Sequence, residues 1–299
     1  MFKEPGRPKS FNPKGEEAIL QQLLALAPRQ IEATGEGPLL LRLRGLELRL
    51  HCPGETGVER ALQALNCLRG ELPLLVTRQC YTRSNYPGEP LASKIYHLVV
   101  IGDLEQAESL MESAGAVTGI IHAKLEKCPS KPAACQDIVG ERLELARRAG
   151  LPHSLETPVV IPDWCSRPGI GHGDLHLYQF IASSDRLEIT DFSGEPDTRT
   201  HTPQCYDIAT VARSLDYIAS IIELTTGERC NCTRDLFRAF LEGYMDVRDP
   251  PPAECLEACC IARAYYEYYY EKTRSTGLEW IPERALKRVS TSSCVWGTG

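Results

Sequence analysis

The sequence predicts an α+β chain in which a small β-rich lobe, residues 1–102, precedes a larger helical lobe, residues 103–299. Three observations predict it. Strand-like alternation crowds into the first hundred residues, apolar residues at helical spacing dominate the remaining two hundred, and one short hairpin interrupts the helical part near its start. The elements run in order. A Pro/Lys/Gly-rich arm leads into a helix over Glu17–Leu26 and three strand-like runs, Arg29–Thr34, Pro38–Arg44 and Leu46–Cys52. Leu41 and Leu43 alternate with Arg42 and Arg44, and Leu46, Leu48 and Leu50 with Glu47 and Arg49, so the runs read as a meander punctuated by Gly35-Glu36-Gly37 and Gly45. Pro53-Gly54 breaks it, a helix is expected over Thr56–Arg69, and two more strands at Leu72–Thr82 and Ile95–Ile101.

Beyond Gly102 the pattern turns helical: Glu105–Leu125, Ala133–Ala149, the series Ile208 to Ile222 ending at Gly227, a helix from Thr233 to Met245, and one over Ala253–Thr273 behind Pro252. The hairpin is expected at Phe180–Ala182 and Arg186–Thr190, turning at Ser183-Ser184-Asp185.

Composition narrows the class. Hydrophobic residues at 42% and charged residues at 24% are ordinary for a folded chain. Lys+Arg 33 against Asp+Glu 40 gives −7, which excludes a nucleic-acid binder that relies on net positive charge. No apolar run reaches the length of a membrane span, and the first residues lack the apolar core of a secretory signal, so a cytoplasmic protein is expected. The 13 cysteines, against 3 methionines, are anomalous. They form no pair of CxxC knuckles, so structural zinc is not expected; a thermophile's chain with some disulfides and a set of buried free thiols stand as the two readings.

The chemistry sits in two segments, HGDLHLYQ from His172 to Gln179 and ITDFSGEP from Ile189 to Pro196, with the expected hairpin between them. Phosphoryl transfer to a hydroxyl needs a carboxylate to take or orient the hydroxyl proton and separate oxygen ligands to hold Mg²⁺ against the phosphates. Asp174 and Gln179 are five residues apart on a loop, and the hairpin returns Asp191 beside Gln179. One carboxylate and one amide suffice for an ion that also binds phosphate oxygens. A β-β-β-α-β-β lobe followed by a catalytic loop, a hairpin and a metal loop is the kinase ground plan.

These segments resemble the maltokinase branch of the aminoglycoside-phosphotransferase-like kinases, which reads HGDLHLGQ and DFEGEP. The likeness continues in Tyr206-Asp-Ile-Ala-Thr-Val-Ala-Arg-Ser-Leu-Asp-Tyr217, Phe240-Leu-Glu-Gly-Tyr244, Ala264-Tyr-Tyr-Glu-Tyr-Tyr-Tyr-Glu271 and Trp280-Ile-Pro-Glu-Arg-Ala-Leu286. It implies a two-lobe protein-kinase-like fold using ATP and Mg²⁺, with Asp174 as catalytic base, Gln179 and Asp191 as metal ligands, and His172 and Asp207 as supports of the catalytic loop. His176, Glu267, Glu271 and Trp280 are implied in acceptor binding. The chain departs from the pattern at Ser193, where the family has Glu, and at Tyr178, where it has Gly.

In the small lobe, Arg49 stands where kinases place a phosphate-gripping lysine, and no Lys occurs between Lys14 and Lys94. Glu59 is its natural helix partner, Gly35 and Gly37 are candidates for a flexible cover over the nucleotide phosphates, and Val99-Val-Ile-Gly102 sits where a hinge strand would meet adenine. The resemblance implies a sugar acceptor, maltose giving maltose 1-phosphate or a hexose or amino sugar such as glucosamine. A nucleotide-sensing pseudokinase and an aminoglycoside- or metabolite-modifying kinase stand as alternatives.

Overall fold

The computed structural model describes residues 88–126, 132–157, 159, 165, 169–182, 187–189, 194–195, 197–198 and 201–289, together with strand backbone at 31–32, 39–43 and 46–50. Strands β1 (Ile31–Glu32), β2 (Leu39–Leu43) and β3 (Leu46–Leu50) form the expected antiparallel meander. Its register sets Leu41 opposite Leu48 and Leu40 opposite Arg49. The expected helices at 17–26 and 56–69 and the strand at 72–82 lie outside the described residues.

The strand expected at Ile95–Ile101 is instead helix α1, Leu91–Ile101. Its β-branched residues suggest a strand, but Leu91, Ile95 and Leu98 recur at helical spacing and are all buried. Gly102, at φ 81°, closes the helix by donating its N–H back to the last-turn carbonyls. Val99–Gly102 is therefore not a hinge strand. The strand preceding this helix is the two-residue β4, Glu89–Pro90, which pairs with β5 (Phe180–Ala182), itself paired with β6 (Leu187–Ile189).

Five of the remaining described helices keep close to the expected boundaries, and the sixth, α7, forms where the sequence reading expected no helix. They are α2 (Leu104–Leu125), α3 (Cys135–Arg148), α4 (Gln204–Thr226), α5 (Thr233–Met245), α6 (Ala253–Arg274) and α7 (Trp280–Val289). Asp103 caps α2 by accepting from the Gln106 N–H at 3.3 Å. Thr233 does not cap α5: it is the first helical residue and its side chain is buried, while Cys232 occupies the capping position. α2 packs on α5, and α6 is the central element, lying against α3, α4 and α7. α6 buries Leu256, Ile261, Ala264, Tyr265 and Tyr268 at the centre. This arrangement brings one face of α4 and one face of α6 against the loop that runs from Ile170 to β5. Among the described residues no helix is long and apolar enough to cross a membrane.

Candidate active site

The loop His172–Gln179 is held from behind by α4. Asp207, fully buried in the first turns of that helix, accepts from the backbone N–H of His172 at 2.6 Å and of Gly173 at 2.8 Å. A third donor is His122 on α2, whose Nε2 lies 2.9 Å from the same carboxylate while its Nδ1 faces the Tyr244 hydroxyl at 3.0 Å. Burial lowers the His122 pKa. The ring is therefore neutral, donating through Nε2 to Asp207 and accepting at Nδ1 from Tyr244. Two turns along α4, the Ser214 hydroxyl accepts from the Leu177 N–H at 3.2 Å and ties down the other end of the loop. Gly173 takes φ 93° within the loop, a conformation in which a side chain would be strained.

Held this way, the loop projects Asp174, His176 and Gln179 into a cavity of about 470 Å³. α4 and α6 supply the opposite walls through Ser214, Tyr217, Arg263, Glu267 and Glu271. Asp174 Oδ1 accepts from Arg263 Nη1 at 2.7 Å, and its Oδ2 lies 3.7 Å from His176 Nε2. The Asp174 N–H donates to His172 Nδ1 at 3.3 Å. Burial raises the Asp174 carboxyl above its ordinary value, and the Arg263 guanidinium opposes that rise. The Gln179 side-chain nitrogen lies 3.4 Å from His176 Nε2, with the residue almost wholly buried.

Arg263 is the hub. The same Nη1 reaches Glu195 Oε1 at 2.6 Å, and its Nε reaches Glu267 Oε1 at 3.2 Å. Glu195 is fully buried between Arg263, Arg142 and the Tyr206 hydroxyl, which donates at 2.5 Å. Glu267 Oε2 is gripped by Arg213 through Nε at 3.0 Å and Nη2 at 2.7 Å. Glu271 differs: it accepts from the hydroxyls of Tyr217, at 2.9 Å, and Thr276, with no cation at ion-pair distance among the described residues.

The structure thus brings Asp174, His176, Gln179, Glu267 and Glu271 to one cavity and places His172 and Asp207 behind the loop. It does not bring Trp280 there. That indole, at the start of α7, carries the Arg284 guanidinium 5.1 Å above its ring and is absent from the cavity wall. The position of Trp280 at a helix start, rather than on the α6 face that meets the loop, sets this difference. Asp191 lies outside the described residues, as do Glu59, Gly35, Gly37 and the side chain of Arg49. Sequence reasoning missed Arg263, Arg213, Arg142, Glu195 and His122. One signal was present: Arg263 and Glu267 are four apart, on one face of one helix. As for metal, the Asp174 carboxylate and the Gln179 amide are hard oxygen donors at the cavity wall, which fits Mg²⁺ rather than a thiophilic ion.

No family model matches the sequence. A glucosamine kinase of Mycolicibacterium smegmatis is 28% identical over 134 residues, a stretch covering 39% of this chain and 33% of that relative. The match thus spans about a third of the relative's length. Among solved structures, a glucosamine kinase in complex with glucosamine, ADP and inorganic phosphate is similar at a TM-score of 0.58 and 18% identity, covering 82% of this chain and 74% of that one. A second glucosamine kinase structure, in another crystal form, gives a TM-score of 0.56 at 17% identity, covering 90% of this chain and 80% of that one. At these identities the likeness shows the fold alone: the chain shares the architecture of these glucosamine kinase structures.

Proposed function

We propose that the protein is an ATP- and Mg²⁺-dependent kinase of a sugar hydroxyl, with an amino sugar of the glucosamine type as acceptor. The observation that carries the reading is the convergence of Asp174, His176, Gln179 and Glu271 on one cavity. Asp174 accepts the acceptor proton at Oδ2, since Oδ1 is already tied to Arg263. His176 lies beside that oxygen and orients the hydroxyl or a phosphate. His172 and Asp207 fix the loop so that the base does not wander, which is the positional requirement of phosphoryl transfer. Gln179, with Asp191, would hold Mg²⁺, which when bound offsets the charge of the phosphates. Arg49, Glu59, Gly35 and Gly37 are assigned to the nucleotide in an N-terminal lobe. Because α1 packs on α2 and α4, we place the boundary between the lobes before Leu91 rather than at Gly102.

Glu271 favours an amino sugar over neutral maltose. Glu267 spends both oxygens on Arg213 and Arg263, whereas Glu271 meets only hydroxyls and is buried in the cavity wall. A protonated amino group on the acceptor supplies the missing cation, and the names of the relatives above support the same choice. Transfer of the ATP γ-phosphoryl group is measured over glucosamine, glucose, maltose and an aminoglycoside. Glucosamine is expected to be the best acceptor, and Asp174→Asn to abolish transfer while leaving nucleotide binding intact. Glu271→Gln is expected to raise KM for glucosamine at least about tenfold and to leave that for glucose nearly unchanged, as loss of a charge-assisted contact requires. Nucleotide binding without transfer to any acceptor would instead identify a sensing module.

A further inference from the structure

Outside the cavity, five cysteines from distant parts of the chain meet in the helical body. Cys135 is the first residue of α3, Cys205 the second of α4, and Cys259 lies in α6, and none is more than 3% exposed. The Cys205 sulfur lies 3.9 Å from that of Cys135 and 3.2 Å from that of Cys259, and all three fall within 4.8 Å of one another. Beside them Cys165 and Cys255 form a disulfide, with the Cys165 carbonyl 3.7 Å from the Cys135 sulfur.

Three buried thiols sharing S–H···S contacts are poorly satisfied, since the thiol is a weak donor and a weak acceptor. The same three sulfurs suit a metal. Four ligands at ~2.3 Å around a tetrahedral ion lie roughly 3.8 Å apart, a spacing that the observed distances bracket. Two of the three sulfurs sit at helix N-termini, where the peptide dipoles stabilise a thiolate. A small cavity lined by Cys165, Gln204 and Cys205 adjoins the cluster, with room for about one water molecule.

We propose that Cys135, Cys205 and Cys259 bind one divalent thiophilic ion of the zinc class as thiolates, with a water from the adjoining cavity at the fourth corner. Binding as thiolates places negative charge in the buried interior, and the bound cation compensates it. The ion is structural. It joins the starts of α3 and α4 to α6, and through α4 and α6 it braces the elements carrying Asp207 and Arg263. The site has no CxxC spacing because its three ligands come from three separate helices.

The full chain, purified without chelator and supplied with Zn²⁺, is assayed for bound metal and by zinc X-ray absorption. The expected result is one zinc per chain, with three sulfurs at about 2.3 Å and one lighter atom in the shell. Co²⁺ replacement should give a thiolate-to-metal charge-transfer band and the visible bands of a tetrahedral site. Cys205→Ser and Cys135→Ser should each abolish stoichiometric binding, and Cys230→Ser with Cys232→Ser should leave it unchanged. Should the core variants fail to fold, the absorption spectrum of the wild-type protein decides alone. A wild-type chain that takes up no zinc overturns the proposal. So does a zinc shell of nitrogen and oxygen only, or a Cys205–Cys259 disulfide found by peptide mapping. Phosphoryl transfer is not a readout, so the outcome is independent of the kinase reading.

Discussion

Arg263 touches three carboxylates, and its contact with Asp174 is the one that reaches the proposed base. Burial raises the Asp174 carboxyl and Arg263 restrains it, so the acid limb of kcat/KM should lie above the ordinary carboxylate range. Arg263→Gln removes the restraint. The base is then protonated at higher pH, and the acid limb of the pH–rate profile should move upward while kcat falls; an unmoved limb would show that Asp174 does not titrate in that profile. Glu195 is the second test at this scale. It is fully buried between Arg142, Arg263 and Tyr206, so Glu195→Ala strands buried guanidinium charge and should cost about 3–5 kcal/mol in urea unfolding. Asp174 and Gln179 were legible in sequence because their five-residue spacing on one loop is a local pattern, whereas His172 and Asp207 were marked only by the family resemblance. Arg142 and Arg213 were not legible. Their partners Glu195 and Glu267 lie more than fifty residues away, and an ordinary arginine on a helix carries no mark of the carboxylate it will meet.

At the scale of elements, α2 and α5 approach until their backbones touch. A methyl group on Gly115 would overlap the carbonyl of Phe240, and one on Gly243 would overlap that of Glu112. Gly115→Ala gains helix propensity of about 1 kcal/mol but must force the helices apart against backbone, not a flexible side chain. A net loss of about 2 kcal/mol is expected in chemical denaturation. Gly140→Ala is the matched control. It lies on the exposed face of α3 with nothing near a new Cβ, so it should leave stability unchanged or raise it by up to about 1 kcal/mol. The helix starts and the hairpin were readable because periodicity and turn residues are encoded locally. α1 was misread as a strand because Ile95, Val99, Val100 and Ile101 carry β propensity, whereas burial of Leu91, Ala92, Ile95 and Leu98 against the helical body decided the outcome. The close approach of α2 and α5 leaves no more trace than isolated glycines.

For the whole molecule, the Cys165–Cys255 disulfide joins positions 90 residues apart, spanning the His172–Gln179 loop, the hairpin, α4 and α5. Cross-linking so long a loop restricts the unfolded chain most strongly, by up to about 4–5 kcal/mol in the chain-entropy treatment. The two cysteines also enter the folded body where α6 begins, next to the three clustered thiols, so the bond acts on the same helix that carries Arg263, Glu267 and Glu271. Cys165→Ser with Cys255→Ser should therefore lower stability by about 4 kcal/mol, seen as a lower midpoint in denaturant with a higher m value, since the freed unfolded chain exposes more surface. Wild-type protein kept in reductant should move toward the same midpoint. The two effects separate the cross-link from local packing: a serine pair that shifts the midpoint without changing m, and a wild type indifferent to reductant, would mean that Cys165 and Cys255 stabilise only as buried side chains. The proposed phosphoryl transfer, measured well below either midpoint, should be unchanged, because neither cysteine lines the cavity that holds Asp174.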